Sequence, residues 1–257
     1  MIEVEWWRLK AAEINALAAR NAVVILPVGS TEQHGPHLPT QVDALLVGEI
    51  ARRAARKVGA TTPIVVAPTV WSGLAEHHMS LGGTLSLDFR AFFGLLQCLC
   101  RSLVRHGFQR ILILNGHGGN ITALNVAVNE LAVELAAPLA TTTYFILAKD
   151  EFARILERQT VVRHACEAET SMLLALAPDL VDMRLAMDAV GPTEPEIADV
   201  AGTDAVHRWR SFKSRTSHGA LGDPRTATPE KGEHLLEAAA EAVARVCANG
   251  AFWELPA

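Results

Sequence analysis

Three short apolar runs, VVIL at 23–26, IVVA at 64–67 and ILIL at 111–114, constrain this chain more than any other feature. Each is a continuous block of aliphatic, mostly β-branched residues bounded by turn formers, the pattern of a strand buried on both faces. Each leads into a polar, glycine-bearing loop and then into helical spacing. The first helical segment, 44–58, sets Leu45, Leu46, Ile50, Ala54 and Ala55 against Glu49, Arg52, Arg53 and Arg56. The second, 89–106, carries the stripe Phe92, Phe93, Leu96, Leu99, Cys100 and Leu103, and the third spans 121–135. Strand, loop and helix recurring with short connections predict an α/β fold, a single three-layer domain with a mainly parallel β-sheet flanked by helices. In open sheets of this kind ligands bind beyond the carboxyl ends of the strands.

The remaining segments fit around that frame. Residues 5–20 are expected to form a surface helix, with Trp6, Trp7, Leu9, Ile14 and Leu17 as its apolar positions. A fourth strand is expected over 139–146, a helix over 149–162 and a last helix over 229–248 with Leu235, Leu236, Ala239 and Val243 at core spacing. The stretch 188–225, rich in glycine and proline, reads as a surface excursion serving as a subunit contact or a lid. Residues 1–257 are read as one domain. The net charge of −5 argues against nucleic acid as a partner. No apolar run reaches the ~18 residues that span a bilayer. The start, MIEVEWWRLKAAEI, has no signal-peptide core, and the four cysteines form no CxxC pair, so a cytoplasmic location with reduced thiols is expected.

The polar loops carry the chemistry. After the first run, GSTEQHGPHLPTQVD sets Glu32, His34, His37 and Asp43 among turn formers. Carboxylates and imidazoles beyond a buried strand are raw material for a divalent-metal site. Glu32 and His34 are two apart, so on extended backbone both project to one side. Asp43 follows a turn and can swing back, where a carboxylate can bridge two ions. His37, flanked by prolines, is expected to shape the loop or touch substrate. In the loop after the second run, Glu76-His77-His78 would alternate sides on extended chain, so at most one or two could point at a common centre. A role in supporting a ligand or in touching substrate is expected rather than ligation, with Glu76, His77 and, further on, Thr84 as the substrate contacts. NGHGGN at 115–120 offers His117 to a metal, while Gly118 and Gly119 let the backbone approach what lies above. Its spacing is not GxGxxG and no GK[ST] follows, so a phosphate cradle is not expected. HACEAETS, from His164, opens an apolar helical run, and His164, Glu167 and Glu169 are costly there unless paired or coordinated. The alternative is an acidic first turn that favours the helix dipole. Cys166 has no Cys–His–Asn signature around it, so a catalytic thiol is not expected.

In chain order, LPVGSTEQHGPHLP with Asp43, EHHMSLGGTLSL, NGHGGN and HACEAETS resemble the creatininase family, and GALGDPRTATPEKGEHLL echoes it near the C-terminus. The resemblance implies an α/β metal-dependent hydrolase, commonly hexameric, with two divalent ions per subunit that cleaves C–N bonds of small cyclic or formyl amides. Carried over by motif, it implies Glu32, His34, Asp43 and His117 as metal ligands with Asp43 as the bridge. Creatininase proper has a further glutamate two positions after the NGH histidine. That position is Gly119 here, as in the deformylase-like and mycofactocin-peptidase-like members, and Glu169 is the natural replacement. The 140–170 stretch has no tryptophan of the kind with which creatininase clamps its flat substrate, which turns the reading away from creatinine itself. The expected reaction is hydrolysis of a small cyclic amide by a metal-activated bridging hydroxide. Zn2+ is the first choice of metal and Mn2+ or Fe2+ the alternatives. His164 is the expected proton donor to the leaving nitrogen, with Glu167 as second choice or as a support for a ligand. Alternatives are a formamide deformylase, a peptide-trimming amidase, a lactone or cyclic-ketone hydrolase, or a non-catalytic metal-binding scaffold.

Overall fold

The three apolar runs lie side by side. In the computed structural model, which describes residues 2–192 and 209–254, they form β1 (Val23–Val28), β2 (Ile64–Val66) and β3 (Arg110–Asn115), with β4 (Leu139–Thr143) beyond β3. The order is β2-β1-β3-β4 and every neighbouring pair is parallel. Val24 pairs with Val65 on one side and Ile111 on the other, and Val28 pairs with Asn115 at the carboxyl edge.

The helices are α1 (Ala11–Ala19), α2 (Val42–Val58), α3 (Phe89–Arg105), α4 (Ile121–Leu135), α5 (Tyr144–Leu147), α6 (Lys149–Ile155), α7 (Glu167–Leu176), α8 (Met183–Ala186) and α9 (Pro229–Ala248). Strand side chains alternate between the two faces of a sheet, and here the alternation divides the core in two. Val23, Ile25, Leu112 and Leu114 pack with Leu46 and Ile50 of α2, Met172 of α7 and Leu235 of α9. Val24, Leu26, Ile111 and Ile113 pack with Ile14 of α1, Phe92 and Leu96 of α3, and Leu124 of α4. Each fully buried Leu, Ile or Phe stabilises by about 1.5–3 kcal/mol over an exposed one. With both faces covered, the strands can be apolar throughout, as the sequence runs show. Helix starts are marked chemically: Asp88 accepts the Ala91 N–H to cap α3, and Thr228 with Pro229 opens α9.

Three expected elements differ. The segment expected as one helix over 5–20 is a 3-10 turn at Trp6–Arg8 followed by α1, because Glu13 reaches back to accept the Lys10 N–H and starts the helix afresh. The fourth strand stops at Thr143, where its partner β3 ends at Asn115, and the chain turns helical at the buried Tyr144. The helix expected over 149–162 ends at Ile155 because the N–H groups of Glu157 and Arg158 are taken by the Glu167 carboxylate. Of the expected excursion at 188–225, residues 193–208 lie outside the described residues. Among the described residues no helix is long and apolar enough to cross a membrane.

Candidate metal centre

The sheet's strand order reverses between β1 and β3, and the crevice beyond that point is where open α/β sheets take their ligands. Glu32 and His34 follow β1, and His117 follows β3. Asp43 arrives in the first turn of α2, which sits so close to the strand ends that a Cβ on Gly29 would lie 2.6 Å from the Ala44 nitrogen. Glu169 projects from the first turn of α7, and His164 stands just before it.

Backbone carbonyls decide which nitrogen of each imidazole carries the proton, since a carbonyl only accepts. His34 Nδ1 donates to Glu32 O at 3.0 Å, His117 Nε2 to Leu74 O at 3.1 Å and His164 Nε2 to Gln33 O at 2.6 Å. The opposite nitrogens all face acids. His34 Nε2 lies 3.2 Å from Asp43 Oδ1 and 3.9 Å from Glu169 Oε2. His117 Nδ1 is 3.1 Å from both Glu32 Oε2 and Asp43 Oδ2, and His164 Nδ1 is 3.4 Å from Glu32 Oε1. A nitrogen lone pair facing a carboxylate is repelled unless a proton or a cation stands between them.

Two groups able to hold a metal ion share Asp43: Glu32, Asp43 and His117 on one side, and His34, Asp43 and Glu169 on the other, the donor atoms of each within 4.8 Å of one another. Glu32, His34 and His164 form a third such set. Glu32 Oε2, His34 Nε2 and Asp43 Oδ2 are buried with no hydrogen bond of good geometry. Buried polar atoms left in this state are costly, and a coordinated cation would satisfy all of them. A mixed imidazole and carboxylate shell suits Zn2+, Mn2+ or Fe2+. The residues present fit a pair of divalent ions.

Electrostatics follow from this crowding. Burial pulls the His34 pKa down, but Asp43, Glu169 and Glu32 outweigh it and raise it to about 9. Burial likewise opposes His117, and Glu32 and Asp43 hold it well above the usual imidazole range. Asp43 is held below the carboxylate range in spite of burial, by His34 and His117. Burial, with the Asp43 and Glu32 charges, pushes Glu169 up to about 8 against the pull of His34. His164 is driven well below the usual value by burial and by its imidazole neighbours.

The centre opens on a cavity of about 1070 Å3, whose lining includes Glu76, His77, Gly118 and Gly119. Glu76 to Leu81 form a 3-10 turn rather than extended chain. His77 and His78 therefore stay together, ring centroids 4.3 Å apart, instead of facing opposite ways. A Cβ on Gly119 would fall on His117 Nε2 and on the Leu74 carbonyl, the two partners of the bond that anchors His117. Three expected site residues lie elsewhere. Glu167 is buried with its carboxylate on the N–H groups of Glu157 and Arg158 and 2.7 Å from Lys231 Nζ, so it braces helices and does not reach the cavity. His37 bonds Thr170 Oγ1 through Nε2 at 2.9 Å and is held to a pKa of about 4, chiefly by burial. Thr84 Oγ1 accepts the Gln33 N–H at 3.2 Å and fixes the ligand loop rather than lining the cavity. Cys166 is buried, with its thiol pushed up to about 12 by burial and Glu169, which makes it a poor nucleophile. Sequence reasoning missed Gln33, which lies between Glu32 and His34, and Phe212, whose ring stacks on His78 at 3.8 Å. Nothing in the local pattern around Phe212 marks it.

The profile of the creatininase family (creatinine amidohydrolase) matches residues 7–247. The chain is 32% identical to the creatinine amidohydrolase of Pseudomonas putida, over 94% of this chain and 93% of that one. It is 35% identical to a mycofactocin precursor peptide peptidase of Mycolicibacterium smegmatis, over 83% and 79%. It is 33% identical to a 3-dehydro-scyllo-inosose hydrolase of Thermotoga maritima, over 84% and 73%. A solved creatininase structure superposes with a TM-score of 0.82 at 29% identity, covering 96% of this chain and 97% of that one. A manganese creatininase and a mutant creatininase of Zn–Zn type give 0.80 and 0.78 at 29% identity, covering 95% and 96% of this chain and 97% of each of theirs. With the profile spanning nearly the whole chain and the parallel sheet and strand-end loops agreeing with it, this protein belongs to the creatininase family of amidohydrolases.

Proposed function

We propose that the chain is a metal-dependent hydrolase that cleaves the C–N bond of a small cyclic amide of lactam or cyclic-urea type. The observation that carries this reading is the set of three backbone-anchored imidazoles whose second nitrogens face Glu32, Asp43 and Glu169. Asp43 would lie between two ions, with Glu32 and His117 on one and His34 and Glu169 on the other. Such a pair, Zn2+ first and Mn2+ or Fe2+ as alternatives, would supply activated water at neutral pH and a Lewis acid for the amide oxygen. The proton work then falls to His164. Its Nε2–H is committed to Gln33 O, so Nδ1 is the working atom. Because the ring is neutral at physiological pH, it enters by accepting a proton at Nδ1 and then delivers it to the departing nitrogen. Phe212, edge-on to His164 at 4.8 Å, keeps water off that side of the ring. The rest of the reading is one domain over 1–257, a small-molecule amide as partner rather than nucleic acid or membrane, and a cytoplasmic homohexamer.

One observation favours a second reading. A cavity of about 1070 Å3 lies at the upper end of what drug-sized ligands occupy, and Gly119 adds no side chain to it. That space suits a larger amide, either a formamide on a nucleotide-like body or the end of a peptide. The similarity to a mycofactocin peptidase runs in the same direction. The similarity to a dehydro-inosose hydrolase keeps a cyclic ketone or lactone in the screen.

Metal analysis of the purified protein, followed by a hydrolysis screen of lactams, cyclic ureas, formamides, short peptides and lactones, tests these readings together. Bound divalent metal with turnover of a lactam or cyclic urea is expected. His117→Ala is expected to lose at least one ion per subunit and to drop turnover by about 100-fold or more. A folded His117→Ala with full amidase activity would sink the metallohydrolase reading. Metal binding with no hydrolysis of any class would leave the scaffold reading.

A further inference from the structure

We propose that His78 is a positioning residue for the metal centre, acting through Glu32 in a tautomer that Gln33 fixes. The inference rests on Glu32 being a metal ligand, as proposed above.

The hydrogen-bond chain leaves little freedom. Gln33 Oε1 accepts the Gly35 N–H at 3.0 Å, which sets the orientation of the amide. Its Nε2 has two hydrogens. One goes to Gly219 O at 3.0 Å, a carbonyl that can only accept. The second goes to His78 Nδ1 at 2.8 Å. The 3.1 Å contact with His164 Nε2 takes neither, because that nitrogen carries its own hydrogen to Gln33 O at 2.6 Å. His78 Nδ1 is therefore the acceptor, and its single ring proton sits on Nε2. That N–H lies 3.3 Å from Glu32 Oε1. With its lone pair engaged by Gln33 and its proton aimed at Glu32, His78 has no nitrogen to give a cation.

Glu32 stands between two demands. Its Oε2 faces His117 at 3.1 Å, while Oε1 faces the His164 lone pair at 3.4 Å. His78 Nε2, 3.3 Å from Oε1, sets the proton of its ring as an electrostatic partner to that oxygen and so favours the rotation of the carboxylate that turns Oε2 towards Asp43 and His117. The His78 ring is itself held: Phe212 stacks on it at 3.8 Å, and the His77 and His164 rings lie at 4.3 and 4.4 Å. Its backbone N–H is tied to Ala75 O at 2.9 Å. Partners of this kind, one bond removed from the metal, typically account for 10–100-fold in affinity.

The test is Zn2+ titration of metal-free protein against a competing chelating dye. His78→Phe keeps an aromatic ring against Phe212 and removes both nitrogens. It is expected to weaken the poorer-binding Zn2+ by about 10–100-fold. His78→Gln, whose amide N–H can reach the same oxygen, is expected to recover most of the loss. In the Co2+-loaded protein the visible spectrum of His78→Phe should keep the wild-type coordination number. Wild-type affinity in His78→Phe, no recovery in His78→Gln, or a lost ligand in the Co2+ spectrum would each overturn the assignment. If His78→Phe does not fold, Gln33→Met serves in its place, with weakened Zn2+ binding expected and unchanged binding overturning. Wild-type protein that takes up no Zn2+ would instead sink the metallohydrolase reading on which this one stands.

Discussion

His34 and His117 each commit one nitrogen to the backbone and turn the other to a pair of carboxylates, where a proton or a cation would be held. In the metal-free protein His34 is raised to about 9 and His117 well above the usual range, while Glu169 is pushed up to about 8. A histidine raised in this way contributes stability fully present below its unfolded value of about 6.5 and lost as pH rises through its folded one. Over that window the metal-free protein should become less stable, and metal uptake must expel the protons it holds. Calorimetric Zn2+ titration at pH 7.5 in buffers of different ionisation enthalpy is expected to show release of more than one proton per subunit. Release of none would mean that the imidazoles are already bare. Gly119 offers a second check at this scale. Gly119→Ala puts a methyl where His117 Nε2 meets Leu74 O, so the His117 ring must shift. Metal content is expected to fall with little change in the circular dichroism of the fold, and an unchanged metal content would show that the loop absorbs the methyl by moving.

At the scale of elements, α7 separates what can reach the cavity from what braces the fold. Glu167 and Glu169 are two residues apart, and on a helix that is about 200° of rotation, so the two carboxylates leave opposite sides. Glu169 takes the Ala165 N–H at 2.6 Å and points to His34, while Glu167 points to Lys231 on α9 and the turn after α6. Lys231→Met would strand a fully buried carboxylate with only backbone N–H donors. A loss of about 3 kcal/mol is expected, read by urea denaturation, with the metal content of the folded protein unchanged. Unaltered stability would mean that the backbone donors suffice. The same geometry explains what the sequence could and could not disclose. That Glu32, His34 and His117 gather at one place was legible because the loops that carry them follow the carboxyl ends of neighbouring parallel strands, and Asp43 joins them from the first turn of α2. The spacing HACEAETS carried two acids without saying which turns inward, because the frame of a helix is set by its packing. The side-by-side placing of His77 and His78 was not legible, since a 3-10 turn and an extended chain read alike in so short a stretch. The strand predicted to run to 146 ended early for a reason held in another strand, the end of β3.

At the scale of the whole molecule, large apolar groups stand exposed, with Trp209 and Phe89 on the cavity wall and Trp71 also in solvent. The hexamer proposed above would offer these side chains a cover. Light scattering after size exclusion is expected to give six times the mass of the 27.7 kDa chain, and a monomer that remains active would remove the need for it. One feature of the centre bears on how the chain assembles. The two groups able to hold a metal ion take their atoms from Glu32 through Glu169, so more than half of the polypeptide is threaded before the last acid arrives. No early segment emerging from the ribosome carries all five of these side chains. A metal held by these residues would be a late arrival, admitted once the chain has brought Glu169 of α7 to the carboxyl edge of the sheet.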